Sequence, residues 1–256
     1  GNAEVGDAQN NWLRINGGEL RCKVVGEGGN LGLTQLGRIE YAQAGGRMNT
    51  DFIDNSAGVD CSDHEVNIKI LLNQVMRAGQ LTGENRNKLL AEMTGEVAAQ
   101  VLRNNYLQTQ TISMMEKLTG ARLGAKQHFI SVLESEGILD RDLEKLPHDE
   151  ELTRRRGIGL GMSRPELSVL LSYSKIMLYG QLLDSDIPED PWLSQELLRY
   201  FPKPLQEKYS DYMHGHRLKR EIIATQVTNS LVNRMGASFA LRMHEDTGAG
   251  AAEVAR

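Results

Sequence analysis

Cysteine is nearly missing from this sequence: Cys22 and Cys61 are the only two in 256 residues. Two thiols make no disulfide framework, and a reducing, cytoplasmic compartment is the reading they support. Basic residues are not in excess either. The 29 Lys and Arg stand against 34 Asp and Glu, for a net charge of −5 and a pI near 5.8. That balance argues against a general nucleic-acid binder, which must neutralise phosphates with a positive surface. No apolar run approaches the ~20 residues that span a bilayer, no signal-peptide pattern opens the chain, and no internal repeat is present. The first residue is Gly rather than Met, as expected of a processed or excised piece. Gly1 to Asn11 is small and polar, and is expected to be mobile or to continue a preceding segment.

What is present is concentrated between Val24 and Leu72, a stretch dense in glycine, asparagine and acidic residues. Apolar runs lead into it at Cys22–Val25 and out of it at Ile68, Leu71, Leu72 and Val75. Trp12–Ile15, the turn pair Asn16-Gly17 and the run Leu20–Val25 predict a strand–turn–strand unit. Leu33–Ala44 predicts a helix stopped by Gly45-Gly46, and Phe52-Ile53 a brief second strand followed by a turn at Asn55–Gly58. Ser62-x-x-Glu65 reads as a capping box opening the next helix. Strand, helix, strand, helix is a piece of a parallel α/β sheet, too small to stand alone.

From Leu81 onward helices follow one another. Glu84–Met93 is expected to end before Thr94, the N-cap of a second helix reaching Met115, with a break at Thr119-Gly120. Arg122–Glu136, Asp140–Leu146 and Glu150–Arg156 follow, and Ser163-Arg164-Pro165-Glu166 caps the apolar helix Leu167–Tyr179. A short helix at Leu193–Arg199 and a long one over His214–Met235, kinked at Gly236, complete the pattern before a frayed tail, Ala249–Arg256.

Several clusters invite a chemical reading and lose it on spacing. Gly26–Gly32 fails the dinucleotide fingerprint at Leu31 and reads equally as a tight strand-to-helix turn or a ligand loop, while Gly157–Met162 fails it at Met162 and reads as a lead-in to the capped helix. Asp63, His64 and Glu65 are successive residues on one helical turn, point to different sides, and cannot converge on one metal ion. The basic cluster His216–Arg220 reads as a solvated or salt-bridged face. No catalytic triad and no metal site is read from the sequence.

Glu27-Gly28-Gly29-Asn30 and Asp51-Phe52-Ile53-Asp54-Asn55-Ser56-Ala57-Gly58-Val59-x-x-Ser62-x-x-Glu65 resemble glutamate dehydrogenase. The hexameric enzymes carry E-G-A-N-x-P-T-T and P-D-x-x-x-N-A-G-G-V-x-x-S-x-x-E at the corresponding turns. Gly29 replaces Ala, Gly32 and Thr50 replace Pro, and Ser56-Ala57 stands for Ala-Gly. GEGGNLGLTQ, DNSAGVDCSDHEVNIKILL, RPELSVLLSYSK, YFP and HRLKREIIAT are similar to one branch, the large bacterial NAD-specific glutamate dehydrogenases.

The resemblance implies the C-terminal portion of a longer polypeptide. Its expected fold is an α/β fragment, the end of a Rossmann-like dinucleotide-binding domain over residues 1–80, followed by an all-α helical domain over 81–256. Its expected activity is NAD-dependent oxidative deamination of L-glutamate to 2-oxoglutarate and ammonium, in the cytoplasm, within a homo-oligomer and with no nucleic-acid or membrane partner. By that resemblance Asn30 and Asn55 face the cofactor, and Val59 and Ser62 face glutamate. A hydroxyl and free amides at a helix N-terminus suit a carboxylate. The family's catalytic Lys and Asp have no counterpart here, so the chain is expected to form one wall of the cleft and to be inactive alone. A helical regulatory or oligomerisation module is the alternative.

Overall fold

Helix punctuation decides this fold, because the apolar positions recur at helical spacing almost everywhere and at strand spacing almost nowhere. The computed structural model describes residues 3, 6 and 8–256. The mobile start expected for Gly1–Asn11 falls in part on residues outside that set. Among the described residues twelve α-helices and three short 3-10 turns form, and no strand does. The helices gather into two compact units, one of Gly1–Asn55 with Ile112–Leu170 and one of Ser56–Thr111 with Leu171–Arg256.

In the first unit, helix α1 spans Gln35–Gln43 and α2 is a single turn, Asp51–Asp54. Thr34 caps α1, its hydroxyl oxygen accepting from the Gly37 amide at 3.1 Å. α1 turns Ile39 and Tyr41 inward, and the Tyr41 hydroxyl donates to the Cys22 carbonyl at 2.8 Å. Gly46 lies against that ring: a Cβ there would sit 2.2 Å from Tyr41 Cζ, so only glycine fits. Helix α5, Thr119–Ser135, buries Phe129, Ile130 and Leu133 and stops at Gly137 with φ +68°. Helix α6, Asp149–Gly157, has acidic residues in its first turn and arginines in its last, the order the helix dipole favours. Arg155 from α6 is buried and donates to Glu166 at 2.9 and 3.0 Å, near the start of helix α7, Arg164–Leu183. Glu166 also accepts from the Ser163 amide at 2.6 Å, the reach-back of the capping box read there.

The expected α/β fragment does not form. Leu20–Val25 was read as a strand entering a covered sheet, yet among the described residues it makes one isolated parallel bridge, Val24 to Arg47. Two hydrogen bonds hold it, from the Val25 amide to Arg47 at 2.9 Å and from the Arg47 amide to Lys23 at 3.0 Å. Parallel pairing needs neighbours on both edges and cover on both faces. Here Val24 is 65% exposed, Cys22 is exposed, and Leu20 and Val25 are only half-buried, so neither face of the run is covered. Phe52-Ile53, read as the second strand, lies in α2 with Ile53 buried and Phe52 outward. Two apolar residues carry no period, and the acidic residues around them favour a helical turn.

In the second unit, helix α3 spans Ser56–Arg77 and buries His64, Ile68, Leu71, Leu72 and Val75 along one stripe. It therefore begins six residues before Ser62, and the Ser62–Glu65 pair lies inside the helix rather than capping it. Helix α4, Gly83–Lys117, continues through Thr94 and Gly95 without a break. Thr94 donates to the Leu90 carbonyl at 3.2 Å, the back-bond of a mid-helix threonine. Helices α8, Gln195–Tyr200, and α9, Lys203–Met213, precede α10, Lys219–Met235. The long final helix expected from His214 thus starts after a turn, and Gly236 ends it with φ +85°. Helices α11, Phe239–Thr247, and α12, Ala251–Ala255, follow. The tail read as frayed is helical, and Arg256 pairs with Asp186 at 2.7 Å and Asp190 at 3.1 Å.

Candidate functional site

The segment Gly26–Leu33 leaves the bridge and closes into a loop held almost entirely by side-chain acceptors on backbone amides. Asp54 accepts from the Glu27 amide at 3.0 Å, Asp51 from the Leu31 amide at 2.9 Å, and Glu27 from the Leu33 amide at 2.9 Å. Arg38, reaching back from α1, grips the buried Glu27 carboxylate with two bonds of 2.7 and 2.8 Å and sits 3.2 Å from Asp51. Burial pushes the Asp51 carboxyl up, but the Leu31 amide and the Arg38 guanidinium outweigh it and hold it below the ordinary range. Leu31 adopts φ +61°, a left-handed conformation that leucine takes only under constraint, and its side chain is exposed.

Asn30 stands at the tip of this loop and Asn55 is the residue that ends α2. The two meet: Asn55 Nδ2 donates to Asn30 Oδ1 at 2.8 Å. That bond leaves the Asn30 Nδ2 group to donate and Asn55 Oδ1 to accept. The pair matches a carboxamide or a ribose hydroxyl in kind. Behind it, Asn49 donates to Asp54 at 2.8 Å and accepts from Arg164 at 2.9 and 3.2 Å. Arg164 also donates to Ser113 at 2.9 Å and Glu116 at 3.0 Å. The signals missed in sequence are therefore Glu27, Arg38, Asp51 and Asp54, whose partners lie too far along the chain to form a local pattern.

Val59 and Ser62 are one turn apart on the outward face of α3, Val59 63% exposed and Ser62 exposed as well. Ser62 is in the second turn of the helix, too deep to share the amides of its first turn. Its hydroxyl, not the helix end, is what it can offer a carboxylate. The start of α3 is instead tied by side chains: Asn105 and Gln108 donate to the Ser56 hydroxyl at 3.0 and 2.6 Å, and Asn104 to Asp60 at 2.9 Å. Lys175 reaches Gln108 at 3.4 Å, and burial pulls its amine down to about 8 despite the pull of Asp60.

His64, on the buried side of α3, stacks on Tyr200 with ring centroids 4.3 Å apart. Burial lowers its pKa against the opposing fields of Asp60 and Asp63. Next to it a cavity of about 410 Å3 lies between α3 and α4, lined chiefly by Cys61, Ile68, Leu90, Met93, Val97 and Ala98. Its charged lining is Lys69 and Glu65, which pair with each other, so the ammonium there is already matched by a carboxylate. The basic cluster is used internally: His216 contacts the Asn67 carbonyl at 3.1 Å, and Arg220 donates to the Leu183 carbonyl at 2.6 Å and pairs with Glu189. The second glycine run closes α6, with Gly159 at φ +73° and the Leu160 amide on the Arg155 carbonyl at 2.8 Å.

Comparison with known proteins adds identity to this geometry. Residues 1–115 match the family described as bacterial NAD-glutamate dehydrogenase, catalytic domain, and residues 159–256 the one described as glutamate dehydrogenase, C-terminal. The chain is 56% identical over 254 residues to the NAD-specific glutamate dehydrogenase of Halomonas elongata, covering 99% of this chain and 16% of that protein. It is 55% identical over 253 residues to that of Pseudomonas aeruginosa, covering 99% and 16%. To that of Mycobacterium tuberculosis it is 42% identical over 246 residues, covering 96% and 15%. The chain thus spans about a sixth of the length of these relatives.

Proposed function

We propose, from the premise that this chain belongs to the bacterial NAD-specific glutamate dehydrogenases, that it is the C-terminal part of such an enzyme. The whole enzyme oxidises L-glutamate with NAD to 2-oxoglutarate and ammonium. This chain supplies Asn30 and Asn55 to the cofactor side of the cleft, and Val59 and Ser62 to the glutamate side. The observation that carries the reading is the Asn55–Asn30 bond, which aligns two carboxamides that keep both donors and acceptors to offer. NAD, when bound, supplies the hydride acceptor. The residues of this chain orient its carboxamide and ribose and offer the Ser62 hydroxyl to a carboxylate. The free, exposed thiols of Cys22 and Cys61 suit a cytoplasmic, reducing compartment.

Hydride transfer needs glutamate pressed against the nicotinamide, with a base to take the ammonium proton. The Lys and Asp that do this in the family belong to the upstream polypeptide. The chain by itself is therefore inactive. Absorbance at the NADH band, followed with glutamate and NAD at high concentration, should stay at the blank for this chain and rise for the full-length enzyme. Turnover by the chain alone would refute the division of labour.

A further inference from the structure

The single turn α2 has a larger part in this chain than its length suggests. Three of its consecutive polar groups act on one loop: Asp51 takes the Leu31 amide, Asp54 takes the Glu27 amide, and Asn55, just beyond, takes hold of Asn30. The Asp51 and Asp54 contacts lie on either side of Asn30, so the loop cannot turn Asn30 away without breaking one of them. Arg38 locks the base of the arrangement by bridging Glu27 and Asp51, both of which are buried. The left-handed Leu31 directly after Asn30 is the mark of this constraint. A leucine there relaxes to negative φ unless its amide is held.

We infer that Asp51 and Arg38 are positioning residues for the cofactor: they hold the Gly26–Leu33 loop so that Asn30 is already aligned with Asn55 before NAD arrives. This rests on the assignment of Asn30 and Asn55 to the cofactor side. Pre-alignment matters because a loop that must order on binding loses affinity to conformational entropy. The loop's glycines at 26, 28, 29 and 32 make that loss large when the clamp is absent. Its effect falls on NAD and spares glutamate, because the clamp acts on the loop that carries Asn30, the residue assigned to the cofactor side.

The test uses the full-length enzyme with Asp51→Ala, Asp51→Asn and Asn30→Ala. Binding of NADH is followed by its fluorescence, amide exchange of the loop is measured without cofactor, and KM and kcat are taken for both substrates. Asp51→Ala should weaken NADH binding about tenfold and speed exchange at the Leu31 amide, while KM for glutamate stays within about twofold. Asp51→Asn, which keeps an acceptor for the Leu31 amide, should recover most of the loss. Should Asp51→Ala fail to fold, Asp54→Ala loosens the same loop at Glu27 and is expected to give the same pattern. Normal NADH binding in the alanine variant, beside weakened binding in Asn30→Ala, overturns the positioning role and leaves the cofactor assignment standing. Normal binding in Asn30→Ala overturns the assignment and this inference with it. A parallel rise of both KM values with a lowered melting temperature would make Asp51 a merely structural residue and also overturn the inference.

Discussion

His64 is a buried histidine whose Nδ1 has no hydrogen-bond partner and whose ring lies flat on Tyr200. Its neutral form is the one the fold accepts, since burial holds its pKa below the ordinary 6.5. The unfolded chain therefore binds a proton near pH 6.5 that the folded chain refuses until lower pH. Stability from this site is complete above about 6.5 and is lost as pH falls toward the folded value, at up to ~1.4 kcal/mol per pH unit. His216, also buried and lowered, adds a slope of the same sign. His64→Phe keeps the stacked ring and removes the titration. Melting temperatures of the variant should fall less between pH 6.5 and 5 than those of the parent, and an unchanged profile would contradict this account. Such a residue is only half legible in sequence. Its place on the apolar stripe of α3 marks it as buried, but its stacking partner lies in α8 and gives no local sign. Asn30, Asn55, Val59 and Ser62 were assigned by resemblance, whereas the contact of Arg38 with Asp51 needed the fold to bring the two together.

At the scale of elements the lesson lies in punctuation. Thr94-Gly95 has the look of a helix start, and a threonine N-cap is worth about 1 kcal/mol. The structure runs α4 straight through it, because Leu89, Met93 and Val101 keep one buried stripe on both sides. Tertiary burial overrides a local signal worth about as much as the glycine costs. The same happens at Ser62, where α3 has begun at Ser56, and at Phe52-Ile53, where two residues were too few to set a period. Helices α1, α5 and α6 were legible to within a turn, because each ended at a glycine stop, near Gly45, Gly137 and Gly157. The Thr94 difference is measurable. Thr94→Ala removes a β-branched residue from mid-helix and should leave stability unchanged or raise it by about 0.5 kcal/mol in urea denaturation. A loss near 1 kcal/mol would restore the capping role.

For the molecule as a whole, the resemblance in sequence survives and the architecture attached to it does not. The relatives are about six times the length of this chain. The central claim is that the outward face of α3 meets glutamate in the full-length enzyme. Ser62 allows a clean test, because it caps nothing: it is an exposed mid-helix serine, and alanine there is neutral or slightly stabilising. The decisive measurement is the KM for glutamate of full-length Ser62→Ala at saturating NAD. Losing a hydrogen bond to a carboxylate costs about 1.5–3 kcal/mol, so KM should rise roughly ten- to a hundredfold, with KM for NAD and the melting temperature unmoved. A variant with the parent's KM for glutamate would contradict the account.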